Sequence, residues 1–170
     1  MRGLFIVLVA VVVSAELGSA TRCLAEDEKA YATSAEGPSA WVLVRTVEAQ
    51  GGGASENGSA PAKIDPRLSD ISEKLRKLHF KSYRLLASQT QVVPLMKKGK
   101  LALVNGDNLI LRPLLVSSER VSMWLKWKDA EGMEILDTRM HFDPGESMLT
   151  GTDNNEESGV ILAIEVKPAQ

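Results

Sequence analysis

Residues 121–142, VSMWLKWKDAEGMEILDTRMHF, constrain the fold more than any other stretch of the chain. Val121, Met123, Leu125 and Trp127 alternate with Ser122, Trp124, Lys126 and Lys128, the period of a strand with one buried face. Asp129-Ala130-Glu131-Gly132 then reads as a four-residue turn, with Gly132 supplying the positive φ that closes it. A loop of even length pairs odd positions on the first strand with even positions on the second. The expected partners are Val121 with Met140, Met123 with Thr138 and Leu125 with Leu136 on the apolar face. On the polar face Ser122 meets Arg139 and Trp124 meets Asp137. A three-residue loop would place Asp137 beside Met123, unfavourable for a carboxylate without a partner.

The remaining pattern is strand-rich with one helix. Trp41–Glu48 is dense in β-branched residues. Asp65-Pro66 opens a helix, since Asp65 can cap free amides and proline suits the first helical position. Leu68, Ile71, Leu75 and Leu78 recur at three- and four-residue spacing, so the helix is expected over about 66–79 with its apolar stripe against the sheet. The order strand, linker, helix, strand suggests a crossover unit, with Ser82–Ala87 as its second strand. Gln91–Met96 is a further strand, which Pro94 assigns to an edge or a bulge. Gly99–Val104 and Asn108–Leu115 flank Asn105-Gly106, a strong hairpin signal. Both faces of that pair are apolar, which predicts cover on both sides. Glu146–Thr150 and Gly159–Val166 form a last pair, with Val160–Ile164 reading as a central strand. The fold class is therefore α+β: a mostly antiparallel sheet or sandwich of about 7–8 strands with one amphipathic helix packed on it.

Residues 1–20 are laid out as a signal peptide: Arg2, the apolar run Leu4–Val13, then small residues ending at Ala20. The run is shorter than the roughly 20 residues a membrane helix needs, and Glu16 interrupts it, so no stable membrane span is expected. Residues 21–39 carry no periodicity and read as a disordered tether. Residues 40–168 form a single β-rich domain with a flexible Gly/Ser loop at 50–63. Cys23 is the only cysteine, so an exported domain of this kind holds itself by its core rather than by disulfides. Arg22 beside it argues against lipidation. Asn57-Gly58-Ser59 is formally a glycosylation acceptor.

The closing segment, from Gly145-Glu-Ser-Met-Leu-Thr-Gly to Gly159-Val-Ile-Leu-Ala-Ile-Glu-Val-Lys-Pro168, resembles the last hairpin of outer-membrane secretin domains. That resemblance implies a bacterial envelope setting, with an envelope protein of secretion or pilus-type machinery as the partner.

Charge is segregated along the chain. Residues 65–128 hold 13 Lys+Arg against 5 Asp+Glu, and residues 129–170 hold 2 against 10. The basic half suits an anionic partner. Pairing of the two halves across the sheet is the favoured account of the segregation. Nucleic acid is not expected, since the chain bears an export signal and net charge −2, with no basic-aromatic interleaving.

Catalytic and metal motifs are absent from the sequence. His79 and His141 have no HExxH spacing, and one cysteine leaves no cysteine pair for zinc. Gly145-Glu-Ser147-Met-Leu fails the GxSxG pattern at its last position. Gly51-Gly52-Gly53 lacks the lysine and the helix of a phosphate loop. His141-Phe142-Asp143 is an imidazole–carboxylate pair with no evident nucleophile. Asp153–Glu157 has calcium-type ligands, but Ser158 and Ile164 stand where the loop needs glycine and glutamate.

No catalytic, cofactor or metal residue is therefore assigned, and no cofactor is expected. The candidate interaction surface is Trp124 with Ser122, Lys126 and Arg139, an indole on the polar face of the best-defined strand, with Arg139 stacking or helix cover as the structural alternative. The sequence reads as an exported, periplasmic or extracellular, non-enzymatic interaction or assembly module of unassigned oligomeric state. The alternative is a periplasmic carrier of a small apolar or amphipathic ligand, which would need a large apolar cavity between helix and sheet. A hydrolase would need a buried cluster around His141 and Asp143.

Overall fold

The structure, a computed structural model, describes residues 37–51, 62–154 and 157–169. The signal peptide, Cys23, nearly all of the tether, the Gly/Ser loop with Asn57 and part of the Asp153–Glu157 loop lie outside the described residues.

Among the described residues nine strands form two sheets: β1 Ser39–Gln50, β2 Lys63–Ile64, β3 Ser82–Pro94, β4 Gly99–Ala102, β5 Asn108–Val116, β6 Val121–Lys128, β7 Glu134–Phe142, β8 Ser147–Asn154 and β9 Ser158–Pro168. One sheet has the order β2-β3-β1-β9-β8 and the other β4-β5-β6-β7. All pairs are antiparallel except β2 with β3. The α+β sandwich read from the sequence is the observed architecture.

Alternation explains how the two sheets meet. Ala40, Val42 and Val44 of β1, with Leu162, Ile164 and Val166 of β9, face Leu109, Leu111, Val121, Met123, Leu125 and Trp127 of the smaller sheet. Trp127 and Phe142 are the largest fully buried side chains there. Burial of each large apolar side chain contributes about 1.5–3 kcal/mol. The opposite faces of β1 and β9 are also apolar at one end, where Val47, Ala49, Ile161 and Ala163 receive Leu68, Ile71 and Leu75 from the helical segment. Both faces of β1 and β9 are thus occupied, as central strands require.

That helical segment differs from the long helix expected. It is a 3-10 stretch, Pro66–Ile71, kinked at Leu68 (φ −107°, ψ 16°), followed by a short helix α1, Ser72–Arg76. Asp65 caps it as expected, accepting from the Arg67 N–H. It ends early because the N–H groups of Lys77 and Leu78 reach only three residues back, to Lys74 and Leu75, while the buried Phe80 leads the chain into β3. A buried arginine fastens it to the sheet. Arg45 Nη1 donates to Asp70 Oδ1 at 2.7 Å and Nη2 to Ser147 Oγ at 3.1 Å, joining β1, the helical segment and β8. That guanidinium is the main cause that holds the Asp70 carboxyl below its ordinary pKa.

Three further expectations are corrected. Ser82–Ala87 and Gln91–Pro94 are parts of one strand, β3, which lies antiparallel to β1 and gives way to a turn at Leu95–Met96, so the crossover joins β2 to β3 and not β1 to β3. In the β4–β5 hairpin Leu101 pairs with Leu109 on the core face, and Val104 is 58% exposed. That hairpin is covered on one side only, because no layer lies outside the smaller sheet among the described residues. In the β6–β7 hairpin the parity holds but the register moves by two: Val121 pairs with Phe142, Met123 with Met140, Leu125 with Thr138, Ser122 with His141 and Trp124 with Arg139. The turn runs over Asp129–Met133, closed by Asp129 N–H to Met133 O at 2.9 Å with Gly132 at φ +87°, and β7 then bulges at Ile135, opposite the Trp127–Lys128 step of β6.

Candidate functional site

Because the odd residues of β6 are fully buried, its even residues Ser122, Trp124, Lys126 and Lys128 point outward. The flanking registers complete rows across the sheet. Arg112 of β5, Trp124 and Arg139 of β7 form one row; Ile110, Lys126 and Asp137 form the next. Lys100 extends the second row from β4.

Trp124 is half-buried at the centre. Its Nε1 donates to Asp137 Oδ1 at 2.6 Å, and Lys126 Nζ donates to Asp137 Oδ2 at 2.9 Å. Lys126 also pairs with Glu134. The Lys126 and Trp124 bonds hold the Asp137 carboxyl below its usual pKa, and the Glu134 and Asp137 bonds raise that of Lys126. These contacts fix the indole in one orientation. Arg112 stands 5.6 Å and Lys98 5.9 Å from the ring centroid, within cation–π range. The Arg112 Nε is buried without a hydrogen-bond partner.

The four residues singled out from the sequence therefore share one face, but with different contacts from those expected. Arg139 is the cross-strand neighbour of Trp124, yet Arg112 and Lys98 provide the cation–π contacts. Ser122 faces His141 instead of Arg139. Sequence reasoning missed Arg112 and Lys98 at this site. The alternation of Ile110 and Arg112 was the available signal for the first; nothing in the sequence marked the second.

Ser122 Oγ and His141 Nδ1 lie 2.7 Å apart, with the direction of the bond set by the tautomer of the ring. An acyl-transfer site would add a carboxylate to orient the imidazole and donors for an oxyanion. Among the described residues no carboxylate contacts the His141 ring, and both His141 and Asp143 are exposed. No group of three or more His, Cys, Asp or Glu side chains could hold a metal ion among the described residues.

Elsewhere there are open clefts. One of about 310 Å³ is lined by Glu48, Lys63, Asp65, Tyr83 and Arg84, and another of about 180 Å³ by Leu78, Phe80, Leu149 and Ile161. Between helical segment and sheet, Leu68 and Leu75 are fully buried in contact with the strands. Among the described residues no helix is long and apolar enough to cross a membrane.

Comparison of the chain with protein-family models, with curated proteins and with solved structures found no match.

Proposed function

We propose that this protein is an exported, non-enzymatic envelope protein that acts as an interaction or assembly module, and that the outer face of β4–β7 around Trp124 is its contact surface. The observation that carries this reading is a half-buried tryptophan held by Asp137 and set between cations at the centre of a sheet face that nothing covers among the described residues. Tryptophan and arginine are the side chains that most often dominate binding energy, and a pre-oriented indole loses little entropy on association. The charged start, apolar run and small residues of 1–20 support export. The packed Leu68, Ile71 and Leu75 support a module over a carrier, since a carrier would keep that space open.

The test is crosslinking of a tagged copy in intact cells, then purification and mass spectrometry. A stoichiometric envelope partner that is lost on Trp124→Ala, and weakened by added salt as a cationic face requires, supports the module. Circular dichroism shows whether the variant keeps its fold. Recovery of a lone chain carrying a small molecule, unaffected by Trp124→Ala, supports the carrier.

A further inference from the structure

β7 is a terminal strand of its sheet: β6 lies on one side, and no strand lies on the other among the described residues. Edge strands offer unpaired backbone groups, and most are shortened, bulged or guarded by charge. The opposite edge, β4, has four residues, whereas β7 has nine, and its bulge sits at the turn end, leaving the segment beyond it in regular register with β6. Leu136 and Met140 pack on the core from this strand while remaining partly exposed.

We infer that β7 pairs with β7 of a second copy, antiparallel about a two-fold axis at Thr138, joining two four-stranded sheets into one continuous sheet. The side chains are self-complementary in that register. Thr138 meets its own copy, Leu136 meets Met140, and Asp137 meets Arg139 twice, once on each side of the axis. Leu136, Thr138 and Met140 stay on the core face and Asp137 and Arg139 on the outer face, as directly opposed residues must. The nearest alternative registers that keep the faces are disfavoured. An axis at Arg139 opposes two arginines, and an axis at Asp137 opposes two carboxylates. Any register of the other parity would turn one apolar face outward. Arg139 is exposed with no carboxylate partner of its own among the described residues, so the copy's Asp137 would give it one.

The inference goes beyond the Trp124 reading and does not depend on it, because strand pairing uses the sheet edge and leaves the indole face open. An edge contact of this length is smaller than the roughly 20–30 residues per side of a standard interface, so the dimer is expected to dissociate on dilution.

Sedimentation analysis of the exported chain over a dilution series tests it, with two variants. Arg139→Glu replaces both cross-axis pairs by like charges and is expected to weaken the dimer by roughly tenfold or more. Thr138→Cys, in a Cys23→Ser background, is expected to form a disulfide-linked dimer on mild oxidation. Opposed residues of an antiparallel pair lie about 4.5–5.5 Å apart at Cα, within disulfide reach. An Arg112→Cys control should stay uncrosslinked. A chain that remains monomeric at every concentration overturns the inference. So does a dimer that tolerates Arg139→Glu and leaves Thr138→Cys reduced, since its interface would lie elsewhere. Trp124→Ala frees Asp137 from the indole but leaves the strand edge intact, so the Thr138→Cys crosslink should still form in that background whether or not partner capture is abolished.

Discussion

Asp107 and Trp127 provide the sharpest test of how the smaller sheet is held. Trp127 is fully buried and Asp107 is 7% exposed, and the indole Nε1 donates to Asp107 Oδ2 at 2.8 Å. The same oxygen accepts from Asn105 Nδ2 at 2.8 Å, so the carboxylate links the β4–β5 turn to the core of β6. Asp107→Ala would leave a buried indole N–H with no acceptor. The desolvation of such a group costs about 1–3 kcal/mol. Trp127→Phe would remove the donor and also core volume, so its own loss should be larger, about 2–4 kcal/mol.

The pairwise contribution is separated by a double-mutant cycle in urea, following far-ultraviolet circular dichroism. Volume lost at position 127 appears on both parallel edges of the cycle and cancels. A hydrogen bond to a charged acceptor predicts a coupling of about 1.5–3 kcal/mol. A coupling below about 0.5 kcal/mol, the usual error of additivity, would refute the view that this bond fixes the turn to the core. An unequal m-value among the variants would instead report a change in the denatured or native ensemble.

The Arg45–Asp70 pair should respond asymmetrically. Arg45 has a side chain 8% exposed and Asp70 one 56% exposed, so Asp70→Ala strands a buried cation and should destabilise by about 1–3 kcal/mol, while Arg45→Met leaves a hydrated carboxylate and should be milder; urea midpoints in the reverse order would refute this. Acid should weaken the fold through Asp65, Asp70 and Asp137, all held below their ordinary pKa by hydrogen bonds, chiefly from Arg67, Arg45 and Lys126 respectively. Folded pKa values below the unfolded value mean that the stability is present above the unfolded pKa and lost as pH falls toward the folded one, so thermal midpoints should drop between about pH 5 and pH 2; a flat profile there would contradict the pairing. Gly159→Ala should destabilise by about 1–3 kcal/mol, because a Cβ there would collide with Thr152 O and press on Phe80 Cζ at 3.1 Å, whereas at Gly132 a Cβ meets nothing within 4 Å and the strain of φ +87° is smallest for asparagine, so Gly132→Asn should cost less in the same melts.

Much of the sandwich was legible because its strands alternate. Val121–Trp127 announced one buried face, and that period survives any loop of the right parity. The β6–β7 register was missed by two because two departures cancel in parity: one extra turn residue, Met133, and one bulged residue, Ile135, between Glu134 and Leu136. Hydrophobic pattern reports faces, and cannot count residues in a turn. β3 read as two strands because Ala87–Gln91 is polar, yet backbone pairing with β1 runs through it and Gln89 Nε2 bonds to Ala102 O. β2, at two residues, is too short for any period to show. The outer-face residues of β6 were legible for the same reason as its core. Arg112 was not, because its place beside Trp124 depends on the β5–β6 register, which has its own irregularity between Pro113 and Leu115.

The segregation of charge along the chain acquires a spatial meaning from these registers. The basic half supplies Lys98, Lys100, Arg112, Lys126 and Lys128 to one sheet face, and the acidic half supplies Glu134 and Asp137 to its rim. If neutralisation across the sheet were the whole account, those acids would be spread over the cations. Instead both converge on Lys126. Among the described residues Lys98, Lys100, Arg112, Lys128 and Arg139 have no ion-pair partner within the chain. Exposed pairs contribute little to stability, so the two carboxylates matter less as neutralisers than as anchors, with Asp137 holding the indole. Charge that the fold does not use internally remains available to whatever approaches the face. Pairing within the sheet therefore does not account for the whole segregation, and the cations left without carboxylates lie on the face around Trp124.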